Sequence, residues 1–114
     1  MIMNKKIIFM IVLAEVIFFS GCIGQKQTEV SDKENAELAC TEECNNNLEK
    51  GTDLNNGPCL MNPMSNLPDW VCDVAHEPRQ DVDDDQKNQC SAYIEGKAHH
   101  FVEVDINCNL IKTW

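Results

Sequence analysis

Cysteine usage constrains this chain more than any other feature. There are seven in 114 residues, an odd number, so they cannot all pair with one another. Cys40, Cys44, Cys59, Cys72, Cys90 and Cys108 are spread over the C-terminal part, whereas Cys22 ends a segment of a different kind. Lys5 and Lys6 precede an apolar run from Ile7 to Phe19, and Ser20 and Gly21 directly precede Cys22. A basic end, an apolar stretch and small residues before a cut are the order of a secretory signal. As a helix the run reaches roughly 20 Å, short of the ~30 Å hydrocarbon core. Small residues directly before a cysteine resemble the lipobox of lipoprotein precursors, which implies Cys22 as the lipid site. Phe19, where an aliphatic residue is usual, and Glu15, inside the apolar stretch, depart from that pattern. The alternatives are an uncleaved N-terminal anchor or a simple cut near Gly21. Giving Cys22 to lipid leaves an even set of six that can all pair in an oxidising compartment. The expected organisation is a signal segment over 1–21, lipid attachment and a flexible tether over 22–31, and a single disulfide-stabilised domain over 32–114.

Nineteen acidic residues against nine basic give a net charge of -10. That balance argues against binding nucleic acid or anionic lipid through a charge patch. Aromatics make up only 6% of the chain, so cross-links are expected to supplement a modest core.

Ser31 with Glu34 is a capping-box pattern that starts a helix, and Gly51 is a left-handed terminator after about Lys50. Ala36, Cys40, Cys44 and Leu48, with Ala39, form one narrow apolar stripe, while Glu37, Glu42, Glu43 and Glu49 occupy the rest of the surface. Residues 51–69 carry turn chemistry in Asn56-Gly57-Pro58 and Asn62-Pro63 and read as loop. Trp70 to Ala75 alternates as a short strand does, Pro78 follows, and Asp81 to Asn88 reads as a charged loop. Ser91 to Ile94, a Glu95-Gly96 turn and Lys97 to Asp105 read as a hairpin. In it His100, Val102, Val104 and Ile106 share one face, and His99, Phe101, Glu103 and Asp105 the other. Leu110 to Trp114 returns as a further strand. The expected fold is α+β: a small disulfide-rich domain with one N-terminal helix and a short antiparallel β-meander.

Six cysteines admit fifteen pairings. Within a helix, Cβ atoms four residues apart are ~5–6 Å from each other, against ~3.8 Å for a disulfide, so pairings that join Cys40 to Cys44 drop out. Both helical cysteines must then bridge outward. No Cys-x-x-Cys occurs, so the spacing of a redox pair or a zinc knuckle is missing.

Asp81, Asp83 and Asp85 alternate like the first ligands of a calcium loop, but Gln86 stands where the sharp turn needs Gly and Ala92 where the bidentate Glu belongs. A solvated acidic loop is the plainer reading, with weak divalent-cation binding as the alternative. His76, His99 and His100 are imidazole candidates for zinc or copper, with Glu103 beyond Phe101. On a strand, adjacent histidines point to opposite faces, so only one of His99 and His100 joins any one site. Met61 and Met64 are thioether candidates for Cu(I), with packing as the default. Asp73 lies three residues before His76, and Trp70 and Arg79 flank that segment, poised for a ligand-facing stack or for packing on each other. The order of a Ser-His-Asp triad, a Gly-rich phosphate loop and a reduced nucleophile are all missing.

The run from Pro68 to His76, then Asn88-Gln89-Cys90, then Gly96 to Asp105, resembles a small group of exported archaeal proteins of unassigned function, over about residues 40–112. The resemblance implies export and contributes no functional residues. The expectation is a lipid-anchored extracytoplasmic domain, held at the membrane of the cell surface. It binds a protein or small-molecule partner, with no cofactor, nucleic acid or catalysis. The alternatives are a surface divalent-metal-binding protein and a structural envelope component.

Overall fold

A computed structural model describes residues 30–114; Cys22 and the expected signal segment over 1–21 lie outside the described residues. The domain is α+β and rich in disulfides. Its elements in chain order are helix α1 (Asp32–Glu49), β1 (Cys59–Met61), β2 (Trp70–Val74), the 3-10 turns η1 (Asp81–Asp84) and η2 (Gln86–Asn88), a single turn α2 (Ser91–Ile94), β3 (His100–Val104) and β4 (Leu110–Thr113).

Helix α1 begins where Ser31 Oγ accepts the Glu34 N–H at 3.3 Å. Asp32 and Glu34 sit at its positive end. It stops at Gly51, whose φ of 78° suits a residue without Cβ and lets the Thr52 N–H reach the Asn47 carbonyl. Ala36, Cys40 and Cys44 are fully buried. Leu48 does not extend this stripe as expected: it lies beyond the last bridge and is 42% exposed.

The sheet order is β1-β2-β3-β4. β1 and β2 are antiparallel, as are β3 and β4, but β2 and β3 run parallel, from Trp70 opposite His100 to Val74 opposite Val104. The sheet is therefore mixed, which corrects the expected antiparallel meander. The expected hairpin fails because Ser91–Ile94 is helical, and the Glu95-Gly96 pair ends that turn instead of joining two strands. Gly96 has φ 74°, and the Lys97 and Ala98 N–H groups both return to the Ala92 carbonyl at 2.9 Å. The crossover between parallel strands runs over residues 75–99. Residues 51–69, read as loop, contain β1.

One face of the sheet packs against α1 through Trp70, Cys72, Val74, Val102 and Val104, with Leu54 and Met64 closing the side. Two disulfides, Cys40–Cys72 and Cys44–Cys108, fasten the helix there; the third, Cys59–Cys90, ties β1 to the start of α2 on the opposite face. Cys40 and Cys44 bridge outward as the helix geometry requires. Three intact disulfides belong to an oxidising environment. Among the described residues no helix is long and apolar enough to cross a membrane.

Candidate functional site

Strand alternation puts Val71, Asp73, Phe101 and Glu103 on the face away from α1. Only part of that face is covered, by Cys90, Ala92 and Ala98 around α2. What remains is a cleft of about 570 Å³, within the range of small-molecule sites. Val71, Ile94, Ala98 and Phe101 supply apolar lining, Tyr93 meets Phe101 edge to face with ring centroids 5.1 Å apart, and His99 lies at the cleft as well.

The floor is acidic. Asp73 and Glu103 are register partners on adjacent parallel strands, and both line the cleft. Glu103 receives Arg79 Nη1 at 3.1 Å. Arg79 also donates through Nε to Asp84 at 2.9 Å and through Nη2 to the Asp83 carbonyl at 3.4 Å. The carboxylates of Asp84, foremost, and Glu103 raise the guanidinium above its ordinary pKa. Among the described residues Asp73 has no salt-bridge partner, and its Oδ1 is buried without any hydrogen bond. Burial, and after it the neighbouring Glu103 carboxylate, push the Asp73 carboxyl up to about 8, with Arg79 offsetting only part of the effect. At neutral pH the group is a buried acid that keeps its proton. An unsatisfied buried polar atom of this kind is uncommon and costly, and strongly perturbed carboxyls collect at functional sites.

The acidic loop is not the solvated run expected of it. Asp83 is 2% exposed. Its Oδ2 accepts the N–H groups of His76 and Gln80, both at 2.9 Å, and its Oδ1 lies 2.9 Å from His76 Nδ1. Burial alone would raise this carboxyl, but those donors more than offset it and hold it below the usual carboxylate range. Asp81 and Asp85 are exposed, and Asp85 accepts the Lys87 N–H at the start of η2. Pairing with Asp83 also takes His76 away from the Asp73 partner that the sequence spacing suggested.

His99 precedes β3, so strand alternation does not separate it from His100 as expected. Both imidazoles reach Asp69, His99 through Nδ1 and His100 through Nε2 at 3.5 Å. The hydrogen bond from His99 holds the Asp69 carboxyl below its ordinary range. Trp70 stacks on His100 with centroids 4.6 Å apart, not on Arg79. Met64 is buried and Met61 packs against the same core. Among the described residues no group of three His, Cys, Asp or Glu side chains is arranged to hold a metal ion.

The pairing of the two acids leaves only a faint trace in the sequence. The signal was present: Trp70-Val71-Cys72-Asp73-Val74 and His100-Phe101-Val102-Glu103-Val104 each place an acid fourth in an otherwise largely apolar strand. Only parallel pairing in register sets the two acids side by side.

No known protein family, no curated protein and no solved structure matches this chain.

Proposed function

We propose that this chain is a lipid-anchored extracytoplasmic binding domain, which takes a small organic ligand in the cleft over β2 and β3 and performs no catalysis on it. The observation that carries the reading is the cleft itself, apolar in its walls and floored by Asp73, whose buried oxygen lacks a partner. Such a mix of apolar lining with a few convergent polar groups is what small-ligand sites have in common. The disulfides support an exported location, and Ser20-Gly21-Cys22 supports lipid attachment. All six cysteines of the domain are paired, which leaves no thiol nucleophile among the described residues.

Amide shift mapping of the full chain in mild detergent, with a mixture of small alcohols, amines and carboxylic acids, tests the cleft. Shifts gathered at Val71, Gly96, Ala98 and Phe101 are expected. Shifts confined to Leu38 and Leu110, which line a more open groove beside α1, would refute the assignment. For the anchor, Cys22→Ser is expected to release the protein into the medium. A Cys22→Ser protein that stays with the membrane and keeps residues 1–21 identifies the segment as an anchor instead.

A further inference from the structure

Resting on the cleft assignment above, we propose that its ligand is a small organic ammonium ion, with Asp73 as counter-ion and the Phe101 and Tyr93 rings beside it.

The charged groups lining the cleft leave one role unfilled. Arg79 is committed to Asp84, Glu103 and the Asp83 carbonyl. His99 is committed to Asp69. Two carboxyl groups therefore share the floor, while the one guanidinium serves Glu103. An anionic ligand would meet both acids and no uncommitted cation among the lining residues, Lys112 standing outside them over the Phe101 ring. A purely apolar ligand would cover the floor and leave the already buried Asp73 Oδ1 without a donor, a costly arrangement for a buried acceptor. An ammonium group supplies both the charge and the N–H donors. The rings add to this, because a cation within about 6 Å of an aromatic centroid is attracted by the ring face. Phe101 already holds one in this way, Lys112 Nζ at 5.8 Å. The net charge of -10 favours the approach of a cation from solution.

Binding of this kind displaces a proton. The charged groups around Asp73 are Glu103 on β3, Arg79 before η1 and Asp83 within η1; Cys59, its partner on β1, is in a disulfide and brings no charge. In this setting the carboxyl keeps its proton to about pH 8. An ammonium ion that takes Asp73 as counter-ion sends that proton to solvent. Below pH 8 its apparent affinity then rises about tenfold per pH unit.

Calorimetry on the full chain in mild detergent with benzylammonium chloride, benzyl alcohol and sodium benzoate tests the proposal. Benzylammonium is expected to bind about tenfold or more tighter than either of the others at pH 8. Its Kd should fall about tenfold per unit from pH 6 to pH 8, with release of a proton measured in buffers of different ionisation enthalpy. Asp73→Asn should abolish the pH dependence and weaken binding at pH 8. Benzyl alcohol or benzoate binding in the cleft as tightly as benzylammonium, a benzylammonium Kd flat with pH, or Asp73→Asn binding like wild type would each overturn the ammonium assignment and leave the cleft standing. No binding by any of the three, with no shifts at Val71, Tyr93 or Phe101, removes both. The three probes compared on the wild-type chain decide the question even where the variant does not fold.

Discussion

Replacing Asp73 with Asn keeps the side chain's shape and removes its ionisation, and the structure dictates how stability should respond. In the unfolded chain the carboxyl ionises near 3.8, whereas in the folded domain burial and Glu103 push it up to about 8. Between those values the unfolded chain has released a proton that the folded domain keeps. The stabilisation from a neutral Asp73 is therefore complete below the lower value and is lost as pH rises towards the upper one, at roughly 1.4 kcal/mol per unit. Asn carries no such slope. The variant is expected to match wild type near pH 4 and to exceed it by about 4 kcal/mol at pH 7, a large fraction of the ~5–15 kcal/mol that stabilises a domain. Asp83 and Asp69, both held below the ordinary carboxylate range, act oppositely in acid: their contribution is lost as pH falls through their lowered values. Both are present in the two proteins, so they cancel in the comparison. Urea unfolding of the disulfide-intact chains by tryptophan fluorescence, at each unit from pH 4 to pH 8, measures the gap. A gap that does not widen with pH, or an Asp73→Asn protein less stable than wild type at pH 7, would refute the account of Asp73 as a buried acid.

Two glycines with similar backbones should respond differently to Ala. At Gly51, φ 78° with no atom within 4 Å of a new Cβ, the expected cost is about 1–2 kcal/mol from the backbone alone. At Gly57, φ 64°, the Cβ would lie 2.5 Å from Asp83 Oδ1 and 2.9 Å from the Val74 carbonyl, so about 3 kcal/mol or more is expected; equal shifts in urea midpoint would contradict the contact. Removing the bridge of longest span by Cys44→Ala with Cys108→Ala, a separation of 64 residues, should cost about 4 kcal/mol, read by thermal melting. Calcium and magnesium at matched ionic strength should raise the melting temperature slightly and equally, by screening a net charge of -10. A saturable shift with one metal, lost in Asp83→Asn, would restore the acidic loop as a metal site.

Local chemistry made much of the fold legible. Ser31 and Gly51 mark the ends of α1, the four-residue spacing of Cys40 and Cys44 forces both to bridge outward, and alternation assigns Val102 and Val104 to the buried face. Long-range pairing was not legible, because Glu95-Gly96 serves equally as a hairpin turn and as the left-handed end of a helical turn. The partners that decide between them are distant: Asn62 Oδ1 accepts the Ala92 N–H at 2.8 Å, and Cys59 bridges Cys90. Asp83 was hidden for a related reason. Amid Asp81, Asp84 and Asp85 nothing in the sequence distinguishes the one carboxylate that turns inward to collect donors from His76 and Gln80. The acids of the cleft share the difficulty, since their proximity exists only once β2 and β3 run parallel.

The spans of the disulfides have a consequence for proteolysis. Cys40–Cys72 and Cys44–Cys108 overlap, so every peptide bond from Cys40 to Cys108 lies inside at least one covalent ring. A single cut in the crossover over residues 75–99, which contributes much of the cleft's rim, therefore does not release a fragment. The cut ends stay tethered by Cys44–Cys108, and any re-closure is an intramolecular event at high effective concentration. The nicked molecule would migrate as intact until reduced, with both walls of its cleft still attached.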